Sequence, residues 1–457
     1  MPNNEKTVTV GLVGLGCAKN TVDLQVMAGG LLAAGISLAP DPDSADVILV
    51  NTCAFIDAAR KEAESEILRA CALKRAGKAR FVIVSGCLPQ RYGAALSAKY
   101  PEVDGWLGID HLFDLACMIR SLDSGRRRGG RAEVRISKAR NTLFEPPVPD
   151  FTVTGGVHAF LKIADGCDHA CAYCAIPAIR GRMRSRLPDD IAAEARALVE
   201  SGIRELDVVG QDITAYGRDL RDGTSLATLL RRLDSIDGDF RLRLLYGYPT
   251  YVTGELLSVM AGARRICRYI DIPIQHSHPE MLRAMRRADT VPHMDGLVAR
   301  FREACPGIAV RTTCIVGFPG ETEGHFEHLL AYVRASRFDN LGVFCFSPEE
   351  GTAAASMDGQ VPREVAEDRR RRLMLAQRRI VRERNKALVG KPLRVLVETA
   401  ADGVAVARSE FQAPDVDGTV IVADPRRRLR PGAFADVEIS GFRGYDLTGR
   451  LKGRSSP

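Results

Sequence analysis

The 457-residue chain has no apolar run approaching the roughly 20 residues that a membrane-spanning helix needs, so a membrane protein is not expected. It also shows no basic leader followed by an apolar stretch and a cleavage site; MPNNEKTVTVGLVGLG reads as a strand running into a glycine turn. The expected setting is the cytoplasm. Strong charge of either sign is missing too: a formal net charge of +7 says little by itself about nucleic acid. Without export, twelve cysteines make a poor disulfide framework, because cytosolic thiols are kept reduced, and clustered ones point to metal ligation or redox work.

What the chain does have is the composition of an ordinary globular protein, 46% hydrophobic and 26% charged, and enough length for two to four domains. Residues 7–120 alternate TVTVGLVGLG, DVILVNTC and RFVIVSGC with amphipathic stretches, which implies βαβ units and a parallel sheet. We expect this domain at 1–125, followed by a linker rich in Gly, Pro and charge at 126–154. Within 155–388, six strand candidates (HAFLKI, ELDVVG, RLRLLY, YIDIPI, AVRTTCIVGF, NLGVFCFS) fit an incomplete parallel (β/α)6 barrel better than a full eight-unit one. Five short strands in 389–457 suggest a small antiparallel β-barrel of the OB type, giving an α/β multidomain chain overall.

Charge is unevenly placed. The expected helix from Arg363 to Val389 carries ten Lys or Arg against four Asp or Glu, nearly the whole excess of the chain. It is either a solvated face or a surface turned toward a ribosome or RNA.

Chemistry concentrates in KIADGCDHACAYC, where Cys167, Cys171 and Cys174 follow the first barrel strand with Cys-x3-Cys-x2-Cys spacing. Three thiolates on one loop can ligate three irons of a four-iron cluster and leave the fourth open to the amino and carboxylate groups of S-adenosylmethionine (SAM). Cleavage of that cofactor would give a 5′-deoxyadenosyl radical. A structural zinc loop would instead want a fourth protein ligand and paired Cys-x2-Cys units. By position, Tyr173, Gln211, Asp212 and Gln275 are candidate SAM contacts, with capping, turn or core roles as the alternative, and IVGFPGETE adds glycines on the same face.

A second set lies in the first domain. Cys17, Cys53 and Cys87 each sit just past a predicted strand, 36 and 34 residues apart, about one βαβ crossover. That places three thiols on the carboxyl edge of one sheet, where such sheets bind ligands, and makes a second cluster site. Cys71, Cys117, Cys267, Cys305, Cys314 and Cys345 share no such geometry.

Two triplets in this order followed by a small β domain resemble the methylthiotransferase family of radical SAM enzymes over nearly the whole chain. The resemblance implies a flavodoxin-like first domain, a partial radical SAM barrel and a TRAM domain. It implies insertion of CH3-S in place of hydrogen on carbon, with two [4Fe-4S] clusters: one held by Cys167, Cys171 and Cys174, which cleaves SAM, and one held by Cys17, Cys53 and Cys87, which carries sulfur. An electron donor and a sulfur source are required, no membrane partner is expected, and both clusters must face one cavity. RLRLLYGYP, YIDIPIQHSHPEMLRAMRR, RTTCIVGFPGETE, LGVFCFSPEEGTAA and ARSEFQAPDVDG look like the branch acting on an aspartate β-carbon of small-subunit ribosomal protein S-twelve (RimO type). The tRNA-adenosine branch (MiaB type) typically has an LPVQSGS-like segment where this chain has DIPIQHS. A noncatalytic iron-sulfur protein that carries electrons or binds RNA is the alternative of another class. Ala18 and Ala54 stand where the family usually has proline and glycine, and HACAYC departs from the usual spacer residues, but no ligand is lost. Residues 391–457, with eleven basic and nine acidic residues, are near-neutral and expected to grip the protein partner.

Overall fold

The computed structural model describes residues 8–93, 95–125, 132–137 and 156–452. The chain forms two compact units. One gathers the described residues up to 155 together with Asp165–His169 and Cys174–Arg186; the other comprises Gly156–Ala164, Ala170–Tyr173 and the chain from Leu187 onward.

The first unit is built on a sheet of β1 (Thr9–Gly14), β2 (Ser37–Leu38), β3 (Val47–Thr52), β4 (Phe81–Gly86), β5 (Gly105–Leu107) and β6 (Glu133–Arg135), ordered β2-β1-β3-β4-β5-β6 and parallel throughout. Every residue of β3 is buried, as expected of a central parallel strand covered on both faces. Helices Ala18–Ala33 and Asp57–Arg75 are the crossovers that let β1, β3 and β4 lie side by side. Most of the expected linker lies outside the described residues; within it, Glu133–Arg135 is an edge strand of this sheet.

The second unit opens with β7 (His158–Lys162). The two-residue strands β8 (Ala164–Asp165) and β9 (Arg184–Ser185) flank the cysteine loop. The larger sheet continues with β10 (Glu205–Val209), β11 (Arg241–Leu244), β12 (Ile266–Asp271), β13 (Ala309–Val316) and β14 (Asn340–Cys345), all parallel, with β7 and β14 at its edges. These are the six expected strands, in sequential order. The basic stretch is one helix, Arg363–Leu388. Beyond it, β15 (Pro392–Ala401), β16 (Val404–Ser409), β17 (Val420–Ala423), β18 (Phe434–Arg443) and β19 (Asp446–Leu451) close a barrel over a core that includes Val395, Val420 and Val437. One expectation needs correcting: this barrel is not wholly antiparallel, since β17 and β19 pair in parallel to complete the closure.

The small barrel is fastened to the amino-terminal ends of the larger sheet. Glu205, the first residue of β10 and fully buried, takes ion pairs from Arg408 (2.6 Å), Arg243 (2.9 Å) and Arg241. Arg243 also donates to the Glu410 carbonyl (2.8 Å), and Asp417 accepts from Arg311 (2.7 Å) and Tyr269 (2.7 Å). Much of ARSEFQAPDVDG is therefore docking surface within the chain.

Candidate functional site

Each cysteine of the first set occupies the step from strand to helix. Cys17 is the extended residue before helix Ala18–Ala33, Cys53 follows the last residue of β3, and Cys87 opens a short helix directly after β4. Because β1, β3 and β4 are neighbours, roughly 4.8 Å apart, the three thiols meet at one edge. Close backbone approach is what the glycines before them permit. Gly86 has φ 99°, and a Cβ there would lie 2.5 Å from the Thr52 carbonyl; at Gly16 (φ 99°) it would lie 2.7 Å from the Cys53 Cβ.

Asn20 organises this edge. Its Nδ2 donates to the carbonyls of Thr52 (2.8 Å) and Leu15 (3.2 Å), which turns Oδ1 toward the thiols, 3.5 Å from Cys87 Sγ and 3.9 Å from Cys17 Sγ. Asn51 Nδ2 donates in turn to the Asn20 carbonyl (2.7 Å). The thiols differ electrostatically. Burial pushes Cys87 up to about 12, against the opposing charge of Arg180, and burial also raises Cys53. Burial lifts Cys17 as well, yet Lys19, Arg180 and the backbone N–H groups of Asn20 and Lys19 outweigh it and bring that thiol below its ordinary value. Three soft donors converging in a pocket with backbone N–H groups aimed at sulfur fit an iron-sulfur cluster.

Arg180 belongs to this pocket and escaped sequence reading. It closes the helix Ile176–Arg180 that follows Cys174, is 1% exposed, and reaches Asp23 (2.7 Å), Asn20 Oδ1 (2.8 Å), both oxygens of Asp165 (3.0 and 3.1 Å) and Cys87 Sγ (3.7 Å). Its only sequence signal was proximity to the second triplet.

Of that triplet, Cys167 and Cys174 fall in the first compact unit, where the Cys167 N–H donates to the Gly181 carbonyl (3.1 Å) and the Ile176 N–H to Cys174 Sγ (3.4 Å). Cys171 falls in the second unit; there the Ala172 N–H donates to the Met285 carbonyl (3.0 Å), and Tyr173 packs on Ala172, Met285, Phe318 and Ala354. All three cysteines are partly exposed. Buried Arg287 lies 3.9 Å from Cys171 Sγ, stacks 4.2 Å from the Tyr248 ring centroid and donates to the Pro273 carbonyl (2.9 Å). Arg287 was another omission of the sequence reading, although it lies in a quoted segment.

The candidate SAM contacts divide. Asp212 Oδ1 is occupied as a cap, accepting from the N–H groups of Thr214 (2.9 Å) and Ala215 (3.3 Å), which is the local role weighed against a ligand contact. Gln211 directly precedes it at the carboxyl end of β10. Gln275, past β12, is the informative one. It has φ 67°, its N–H and carbonyl are held by Thr313 and Ile315, and its buried Oε1 has no hydrogen-bond partner among the described residues. A strained backbone holding an orphaned buried acceptor suits a ligand-contacting residue.

His278, Glu280 and His325 also bring ligand atoms within 4.8 Å of one another. However, Nδ1 of His278 accepts from the Glu280 N–H and Nδ1 of His325 from the Thr322 N–H, so each neutral ring carries its proton on Nε2. These rings act as helix caps rather than metal ligands. Cys71, Cys267, Cys305 and Cys314 are buried, and Cys117 is exposed.

Family comparisons match this layout. Residues 9–108 match Uncharacterized protein family UPF0004, residues 161–333 the Radical SAM superfamily and residues 389–451 the TRAM domain. A curated relative from Pelotomaculum thermopropionicum, "Ribosomal protein uS12 methylthiotransferase RimO", is 44% identical over 445 residues, covering 97% of this chain and 99% of the relative. One of the same name from Syntrophus aciditrophicus is 44% identical over 447 residues, covering 97% and 98%. The chain belongs to the RimO family of methylthiotransferases.

It is therefore a radical SAM enzyme, and membership of that superfamily brings a [4Fe-4S] cluster and SAM. Among solved structures, the radical SAM methyltransferase TsrM from Kitasatospora setae shares the fold, with a TM-score of 0.55 and 16% identity over 93% of this chain and 80% of that one. No helix among the described residues is long and apolar enough to cross a membrane.

Proposed function

We propose that this RimO-family chain inserts a methylthio group at the β-carbon of an aspartate in ribosomal protein uS12, using a second [4Fe-4S] cluster on Cys17, Cys53 and Cys87 beside the radical SAM cluster on Cys167, Cys171 and Cys174. The observation that carries it is that three thiols stand at the ends of neighbouring strands on one sheet edge, with Cys17 and Cys87 both beside Asn20 Oδ1. The names of relatives 44% identical supply the acceptor. When bound, the clusters and two molecules of SAM would supply the radical that activates carbon, the sulfur that replaces its hydrogen and the methyl group carried on that sulfur.

The chain's own part is position and shielding. Asn20 and Arg180 order the donors of the first site and set the charge around them. Gln275 offers an acceptor to SAM from a fixed backbone, and Arg287 places a buried cation beside Cys171. A one-electron donor and a sulfur source complete turnover.

The test is the C17A/C53A/C87A variant, reconstituted anaerobically. It should hold one cluster instead of two and still yield 5′-deoxyadenosine, while uS12 in a complemented deletion strain stays at its unmodified mass. Retained sulfur insertion would refute the second-site assignment. A tRNA adenosine losing its methylthio group in the deletion strain, with uS12 unchanged, would refute the acceptor.

A further inference from the structure

The helix Arg363–Leu388 has two unlike faces. One is anchored: Leu373, Ala376, Ile380 and Val381 are buried, Gln377 Nε2 donates to the Phe338 carbonyl (2.8 Å), and Arg369 pairs with Glu321 (2.9 Å). Arg372, beside it, is neutralised by Glu323 (2.6 Å) and Glu327. The acids of neighbouring elements are thus spent on the inner arginines.

The outer face follows a helical stripe, Arg363, Arg370, Arg371 and Arg378, all exposed. Arg363 pairs with Glu367 (2.7 Å) and Arg371 with Asp368, whereas Arg370 and Arg378 meet no carboxylate among the described residues. Together with β14 this stripe lines a groove of about 590 Å³. β14 is an edge strand, and its Phe344 turns outward, 54% exposed, opposite Met374 and Leu375, the latter 45% exposed. Phe344, Met374 and Leu375 thus put apolar surface into the same groove as the arginines. Cations with one accessible aromatic are what phosphates and an unstacked base require.

We propose that this groove binds an unpaired stretch of RNA, with phosphates on the outer arginines and a base stacked on Phe344. No cysteine of either set lines the groove, so the proposal stands or falls independently of the sulfur chemistry.

The test uses the full-length reconstituted holoenzyme and fluorescein-labelled 12-mers of oligouridylate and oligoadenylate, followed by anisotropy across a salt series. Single strands lose about 0.7 in the log-log salt slope per neutralised phosphate, so four arginines predict a slope near −3. R370Q/R378Q should roughly halve it, and R363Q/R370Q/R371Q/R378Q should bring it close to zero. F344A should weaken binding about 5- to 150-fold with the slope unchanged, the signature of lost stacking. R426Q/R427Q/R428Q, on an exposed loop of the small barrel, should change neither. Absence of RNA binding, insensitivity to all three groove variants, or loss confined to the small-barrel variant would overturn the proposal. Competition by polyglutamate as strong as by RNA would also overturn it, since that polymer has charge without bases and would mark a site for an acidic protein segment.

Discussion

Replacing Arg180 by methionine tests the construction of the first pocket. The substitution keeps an unbranched stem, two atoms shorter, and removes the guanidinium that meets Asp23, 1% exposed, and both oxygens of Asp165. Breaking a buried pair by removing one partner costs about 3 to 5 kcal/mol, because the remaining buried carboxylate loses a countercharge. For a unit of this size each kcal/mol moves the midpoint by about 2 to 4 °C, so R180M should melt roughly 6 to 20 °C below the parent. Anaerobic differential scanning calorimetry measures the shift on both cluster-free and reconstituted protein. R180M/D23N should recover part of the loss, since the second change removes one of the carboxylates that Arg180 faces. R180K should fall between, because a single ammonium cannot reach Asp165, Asp23 and Asn20 together as the planar fork does. A midpoint for R180M within about 2 °C of the parent, or no recovery in the double variant, would refute the view that this arginine holds the pocket together.

Other consequences follow from single residues. G86A forces a Cβ to 2.5 Å from the Thr52 carbonyl at φ 99°, and should cost at least about 2 kcal/mol in denaturant melts and lower the iron bound by the first unit. Q275A should weaken SAM binding about 2- to 12-fold by calorimetry with far-UV circular dichroism unchanged, the scale of one hydrogen bond. Burial opposes ionisation of Glu205, yet Arg241, Arg243 and Arg408 hold it well below the ordinary carboxylate range. Its stabilisation is therefore complete above the unfolded value of about 4.3 and is lost as pH falls below it, because only the unfolded chain then takes up the proton. E205Q should destabilise strongly at pH 7, and its deficit against the parent should shrink steadily below about pH 4; a deficit independent of pH would contradict the assignment.

The strands were legible because parallel strands buried on both faces are near-continuous apolar runs, as in DVILVNT and RFVIVSG, and glycine punctuates their ends. The first cysteine set was legible for the same reason: a residue just past each such run must land on one sheet edge if the strands are neighbours. The parallel closure of β17 on β19 was not, since five short alternating strands carry no mark of which partner completes the ring. For Asp212 both a ligand contact and a cap were open, because a polar residue after a strand serves a ligand and a turn equally well until its hydrogen bonds are known, and those of Oδ1 make it a cap. ARSEFQAPDVDG resembled the ribosomal-protein branch, and only the structure showed that much of it lies at the seam between the small barrel and the larger sheet.

By itself the sequence determined the elements, their order, the strand-end positions of Cys17, Cys53 and Cys87 and the kind of chemistry, since these depend on local periodicity and on ligand type at fixed spacing. Tertiary structure alone decided that Asn20 turns its oxygen to Cys17 and Cys87, and that Arg180, 93 residues from Cys87, enters the same pocket. It alone separated the neutralised inner arginines of the basic helix from the outer ones beside Phe344. The physical reason is common to all three. Charge and hydrogen bonding act over a few ångströms in space, and which groups come that close depends on how the elements pack, which no local pattern encodes.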